Sequence, residues 1–134
     1  MAQQLVRAPW LIIAAALGVA ACGRQDERLL QHREKFESLG SSTAAIAEAW
    51  LAGSTSGTYT RTALQQTFLL VEQERQALAS SPDTLLDPRG AELSQSAERL
   101  SRLLAALIHD VRAADAPSVR QHLTKIPITP SESR

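Results

Sequence analysis

Residues 90–114 read GAELSQSAERLSRLLAALIHDVRAA and carry the clearest helical pattern in the chain. Small or apolar residues recur there at alternating steps of three and four, which places them on one face of a helix. Asp87-Pro88 precedes the stretch, as a capping residue followed by proline at the first helical position. The stretch therefore predicts an amphipathic helix with a buried face made of Gly90, Leu93, Ala97, Leu100, Leu104, Leu107, Val111 and Ala114.

The sequence of residues 28–52 predicts a long helix that precedes the helix at 90–114. Their apolar seam keeps its phase across Gly40, which favours one kinked helix over two helices broken at that glycine. The glycine- and serine-rich run at 53–57 then ends the helix. The seam consists of Leu29, His32, Phe36, Leu39, Thr43, Ile46 and Trp50.

Residues 58–80 predict a second helix, with Thr58 or Thr60 as its cap. Its core-facing residues are Ala63, Leu64, Thr67, Phe68, Val71 and Leu78. The apolar run at 68–71 is too wide for a helix covered on one side only, so it either touches two neighbours or forms an exposed patch. A turn follows at 80–83.

Asp115-Ala116-Pro117 predicts a short last helix with Val119, Leu123 and Ile126 facing inward. Together the pattern predicts an all-α fold, a small antiparallel bundle of three long helices and a short fourth at 28–126. Residues 22–27 are expected to form a short tether and 127–134 a flexible tail, because Pro127 and Pro130 cannot continue a helix.

The start of the chain has the three-part pattern of a secretory signal. Residues 1–9 carry one cation, Arg7, and no acidic residue, and residues 10–21 are apolar or small without interruption. That run is about a dozen residues, against the roughly 20 that a membrane-spanning helix needs. Residues 1–21 are therefore predicted to be a cleaved signal peptide.

The end of this run, Val19-Ala20-Ala21-Cys22, resembles the lipobox of bacterial lipoproteins. The resemblance implies that the Cys22 thiol is diacylated, that a dedicated peptidase cuts before it, and that the new amino group is acylated as well. It places the protein in the bacterial cell envelope, lipid-anchored and facing the periplasm. Gly23 stands where an aspartate retains some lipoproteins in the inner membrane, which favours the outer membrane.

The amino-acid composition narrows the choice of binding partners and of interactions that can stabilise the fold. The chain has 14 basic and 14 acidic residues and a single cysteine. A balanced charge gives no sign of nucleic-acid binding and no run of basic residues for anionic lipid. One cysteine also leaves no disulfide framework, so packing must stabilise the fold.

The three histidines of the chain give little indication of a ligand-binding site. His32 lies on the first seam and is a weak candidate ligand for haem, whereas His109 and His122 are expected at the surface. No spacing indicates a metal site, and no cofactor is predicted. Glu72 and Glu74 are expected on a solvated helix face, and Ser101 on the outside of the third helix. No catalytic constellation is present, so the sequence does not indicate an enzyme.

The sequence thus favours a membrane-anchored helical interaction or structural module. Its partner is an envelope protein or a second copy of the chain, held by an apolar helix face. One candidate face is Phe68, Leu69, Leu70 and Val71, and the other is the stripe containing Leu100, Leu104 and Leu107. The alternative is a bundle that binds haem or an apolar small molecule between its helices.

Overall fold

The computed structural model of the chain describes the backbone of residues 8–126 and the side chains of residues 23–126. The five helices of this part are α1 (Ala8–Leu51), α2 (Gly57–Ala79), α3 (Pro82–Leu86), α4 (Pro88–Arg112) and α5 (Ala116–Leu123). The all-α helical bundle is confirmed. The side chains of the predicted signal peptide, that of Cys22 and the predicted tail at 127–134 lie outside the described residues.

Helix α4 is the centre of the bundle. It contacts each of the other four helices, most extensively α2, and α1 packs mainly against α2. Its face at Leu100, Leu104 and Leu107 is buried among side chains of the other helices, as the spacing of three and four predicts. The best-buried core residues from the other helices are Phe36, Ala47, Leu64, Val71, Leu78 and Val119.

Helix α1 is continuous across Gly40, so the choice of one helix over two is correct. Gly40 is buried, and a Cβ there would lie 3.8 Å from Ile126 Cγ2, an ordinary van der Waals contact. The tether expected at 22–27 is helical instead. It is held by the bundle, since Gln25 Nε2 donates to the Asp83 carbonyl at 3.0 Å and Asp26 accepts from Arg89 at 2.7 Å.

The turn between α1 and α2 closes with paired backbone hydrogen bonds. Gly53 N–H donates to the Trp50 carbonyl at 3.0 Å and Ser54 N–H to the Ala49 carbonyl at 2.9 Å. This helix end requires a left-handed residue, and Gly53 supplies it with φ of 74°. Helix α2 is capped by Ser56, whose side chain accepts from Tyr59 N–H, so neither Thr58 nor Thr60 is the cap.

The turn between α4 and α5 uses the same hydrogen-bond pattern without a glycine. Asp115 N–H donates to the Asp110 carbonyl at 2.9 Å, and Ala114 takes the left-handed position with φ of 53°. A side chain in that conformation costs about 1–2 kcal/mol relative to glycine. The prediction that Ala114 belongs to the buried face is wrong, because α4 ends at Arg112 and Ala114 is exposed.

Helix α3 occupies the region where only a turn is predicted. Its single turn brings the backbone of Thr84 against the start of α4, with the Thr84 side chain buried. A Cβ at Gly90 would lie 1.7 Å from the Thr84 carbonyl oxygen. Position 90, where the buried face of α4 begins, therefore requires glycine, because no larger residue fits between the backbones of α3 and α4.

In the part of the chain that the structure describes, no helix has the length and apolar character that crossing a bilayer requires.

Replacing Gly90 by alanine is expected to lower the free energy of unfolding by about 3 kcal/mol, because backbone must move to admit the methyl group. The matched control is Gly40→Ala, also inside a helix and buried but with room for a Cβ. That control should raise stability by about 0.5–1 kcal/mol through helix propensity. Urea unfolding followed by circular dichroism measures both, and equal midpoints for the two variants would show that the α3–α4 contact is looser than described.

Candidate functional site

The outer face of α2 is uncharged along its length. Residues 59, 62, 66, 69, 70, 73 and 77 share this face by helical spacing, and all of them are exposed and without formal charge. Its large apolar side chains are well exposed, at 63% for Tyr59, 63% for Leu69 and 50% for Leu70. We call these residues the neutral α2 face.

The candidate face at 68–71 is divided by the fold. Leu69 and Leu70 belong to the neutral α2 face, Val71 is fully buried, and Phe68 is partly buried against the core. Of the two interpretations of this run, an exposed patch is correct for the two leucines. Contact with the core is correct for Phe68 and Val71.

The second candidate face does not reach the surface. Leu100 is 3% exposed, and Leu104 and Leu107 are completely buried. The bundle itself covers the stripe, because α1 and α2 pack on it. The hypothesis that this stripe holds a partner or a second copy is therefore wrong for the folded bundle.

His32 serves as a link between helices. Its Nδ1 lies 3.2 Å from Glu74 Oε2, and Lys35 Nζ donates to Glu74 Oε1 at 3.0 Å. The Glu74 side chain is only 18% exposed, so the prediction that it sits on a solvated face is wrong. This geometry ties α1 to α2.

Glu72 and Ser101 form a second polar link, between α2 and α4. Buried Ser101 donates from Oγ to Glu72 Oε1, which also accepts from Arg75 Nη1 at 2.7 Å. These hydrogen bonds, first that of Ser101 and then that of Arg75, lower the pKa of Glu72 below its ordinary value. The prediction that Ser101 lies on the outside of its helix is wrong, whereas the Glu72 side chain keeps 30% of its surface exposed.

Asp110 and His122 form a third link, between α4 and α5. The Asp110 carboxylate is buried and lies 2.6 Å from His122 Nδ1. His109 approaches the same carboxylate at 3.5 Å but remains exposed. His122 is partly buried, contrary to its predicted surface position. Within residues 23–126 no cluster of three or more His, Cys, Asp or Glu side chains is arranged to hold a metal ion.

A groove of about 410 Å³ runs between α1 and α4. Its apolar lining comes from Leu29, Leu30, Phe36, Leu93 and Leu100. Arg89 joins the helices at this groove, with Nη2 at 2.7 Å from Asp26 and 2.8 Å from Asp87. His32 is not among its lining residues, so the groove does not combine with the predicted haem ligand.

Removing the Ser101 hydroxyl tests the link to Glu72. Because the pKa of Glu72 is lowered in the folded protein, its ionised form stabilises the fold above its ordinary pKa. That contribution disappears as the pH falls through the lowered value. Ser101→Ala should therefore reduce the free energy of unfolding by about 1 kcal/mol at pH 7 and by much less at an acidic pH where Glu72 is protonated.

Ser94→Ala, on the same helix, is the matched control and should show no such dependence on pH. Urea unfolding at the two pH values provides the measurement. An equal loss of unfolding free energy at both pH values would mean that the hydrogen bond from Ser101 does not favour the charged form of Glu72.

The described surface thus offers the neutral α2 face, the α1–α4 groove and three polar links between helices. Because the polar links hold helices of the bundle together, the neutral α2 face and the α1–α4 groove remain as the candidate sites. Comparisons with protein-family models, curated proteins and solved structures find no match for this chain.

Proposed function

We propose that this protein is a lipid-anchored helical interaction module on the periplasmic face of a bacterial envelope membrane, the outer membrane in particular. The observation that carries the proposal is the stretch Val19-Ala20-Ala21-Cys22, behind a short apolar run and one cation. Cys22 is the single cysteine of the chain and would carry the lipid. The proposal does not involve catalysis.

The attachment follows from the energetics of acyl chains in a bilayer. Each buried methylene contributes about 0.8 kcal/mol, and one chain alone anchors a protein only marginally. Two or three chains on Cys22 would therefore hold the domain without any membrane-binding surface on the bundle. Helix α1 runs through Cys22 into the bundle without a break, so the anchor would join the fold directly.

The neutral α2 face supports partner binding. Its leucines and tyrosine offer apolar area to a partner, and no charged side chain on this face must be desolvated when a partner covers it. Interface centres are typically depleted of charged residues and rich in aromatic ones. We therefore place the partner, an envelope protein or a second copy of the chain, on α2.

A second candidate function is supported by the α1–α4 groove. Its lining combines apolar side chains with the charged Arg33, Glu37 and Glu92, which suits a small amphipathic molecule better than haem. A bound ligand of that kind would be detected by native mass spectrometry of the protein purified from its membrane.

Cys22→Ser is expected to abolish lipidation and to move the protein from the membrane to the soluble fraction. The reason is that the anchor, rather than the bundle, supplies the affinity for the bilayer. Cell fractionation and mass spectrometry of the N-terminus measure the two effects. If the variant stays membrane-bound to the same extent, or if the wild type carries no acyl chains, the anchoring proposal is wrong.

Photo-crosslinking in cells tests the neutral α2 face. A photoreactive amino acid at Gln66 should give a crosslinked species, and Leu69→Ser with Leu70→Ser should reduce its yield at least about tenfold, since central apolar side chains dominate interfaces. Leu85→Ser with Leu86→Ser is the matched control, because these leucines are also exposed but lie on α3. Equal loss in both double variants, or no crosslink at Gln66, would contradict a partner on α2.

A further inference from the structure

A second cleft, of about 640 Å³, opens beside helices α4 and α5. Four of its six lining side chains are basic or can become so, and none is acidic. Leu103 and Ala106 supply its apolar part. The basic set is Arg99, Arg102, His122 and Lys125.

The fold brings these cations together from two parts of the sequence. Arg99 and Arg102 are three residues apart on α4 and share a face. His122 and Lys125 come from the end of α5 and the residues after it, which the tight turn at Ala114 returns to α4. A chain with balanced total charge therefore carries a local excess of positive charge at this cleft.

His122 is held in place by a buried group. His122 Nδ1 lies 2.6 Å from a carboxylate oxygen of Asp110, a residue that is 7% exposed. A carboxylate on Nδ1 leaves Nε2 as the ring nitrogen that is available to a ligand. The cleft thus combines one oriented side chain with three exposed cations.

Within residues 23–126, no carboxylate engages two of these cations, Arg99 and Lys125. Arg102 pairs with Glu98, whereas the nearest recorded side-chain partner of Arg99 is the Ser96 hydroxyl at 3.2 Å. Among the residues with described side chains, no carboxylate lies within ion-pair distance of Arg99 or Lys125. Among the described side chains, an incoming anion would therefore meet a carboxylate partner at Arg102, which Glu98 holds, and at His122, which Asp110 holds through Nδ1.

We propose that the α4–α5 cleft binds the phosphoryl group of a phosphate ester. Guanidinium groups present parallel N–H donors that match phosphate oxygens, and the lysine ammonium adds a compact positive charge. Leu103 and Ala106 provide apolar contact for the organic part of the ester. The ester is either a small soluble molecule or the headgroup of an anionic phospholipid, and the phosphoryl chemistry is common to both.

The test follows the histidine side chains by nuclear magnetic resonance in the full chain, purified in a non-ionic detergent. The probes are inorganic phosphate, glycerol 3-phosphate and short-chain phosphatidylglycerol, with sodium chloride at matched ionic strength. Glycerol 3-phosphate or phosphatidylglycerol should shift the His122 ring signals saturably, while His32, which pairs with Glu74 and does not line the cleft, serves as the internal reference. Saturation by glycerol 3-phosphate supports a soluble ester, and saturation by phosphatidylglycerol alone supports a lipid headgroup.

Matched variants separate a built site from general attraction of anions. Arg99→Gln and Lys125→Gln should each weaken binding at least about fivefold, and Glu98→Gln should tighten it by releasing Arg102. Arg112→Gln and Arg120→Gln remove exposed cations of the same helices that do not line the cleft. They should change the affinity less than about twofold.

The proposal is overturned if chloride gives the same shift, if no ester saturates the His122 signals, or if the Arg112 and Arg120 variants weaken binding as much as the cleft variants. A circular dichroism spectrum of each variant that matches wild type ensures that a loss of binding is not a loss of fold.

Discussion

The buried face of α4 is the constraint on which the rest of the structure depends. Its apolar residues between Leu93 and Val111 share one core with side chains of α1, α2 and α5, and α3 packs against the start of α4. Burial of a large aliphatic side chain is worth about 1.5–3 kcal/mol, so this one face gathers much of the apolar stabilisation available to a small domain. The chain has no disulfide that could compensate if this apolar burial were lost.

Helical periodicity predicts which residues form the buried face of α4. Apolar residues spaced by three and four positions can be buried together only if the segment is a helix with that face turned to the core. It also predicts that α1 continues through Gly40, because the seam keeps its phase there. It misses α3, whose five residues are shorter than two turns and show no period. It also assigns Ala114 to the helix, although the closing hydrogen bonds of the turn force that residue into a left-handed conformation.

The polar contacts could not be predicted in the same way. Periodicity places Glu72, Glu74 and Ser101 outside because they are polar, but long carboxylate side chains reach sideways to a neighbouring helix. Which neighbour they meet depends on the axial register of two helices, and that register is set by core packing. For the same reason the sequence shows balanced charge where the fold collects Arg99, Arg102 and Lys125 beside His122.

The continuity of α1 has a geometric consequence for the proposed attachment at Cys22. A helix rises 1.5 Å per residue, so the backbone from Cys22 to Leu51 covers about 44 Å. A lipid on Cys22 would hold one end of this rod at the bilayer, and α2 returns along it. Leu69 and Leu70 lie near the middle of α2 and would stand at intermediate height. The bundle would then contact only those molecules that approach the membrane surface to within the length of the α1 segment from Cys22 to Leu51.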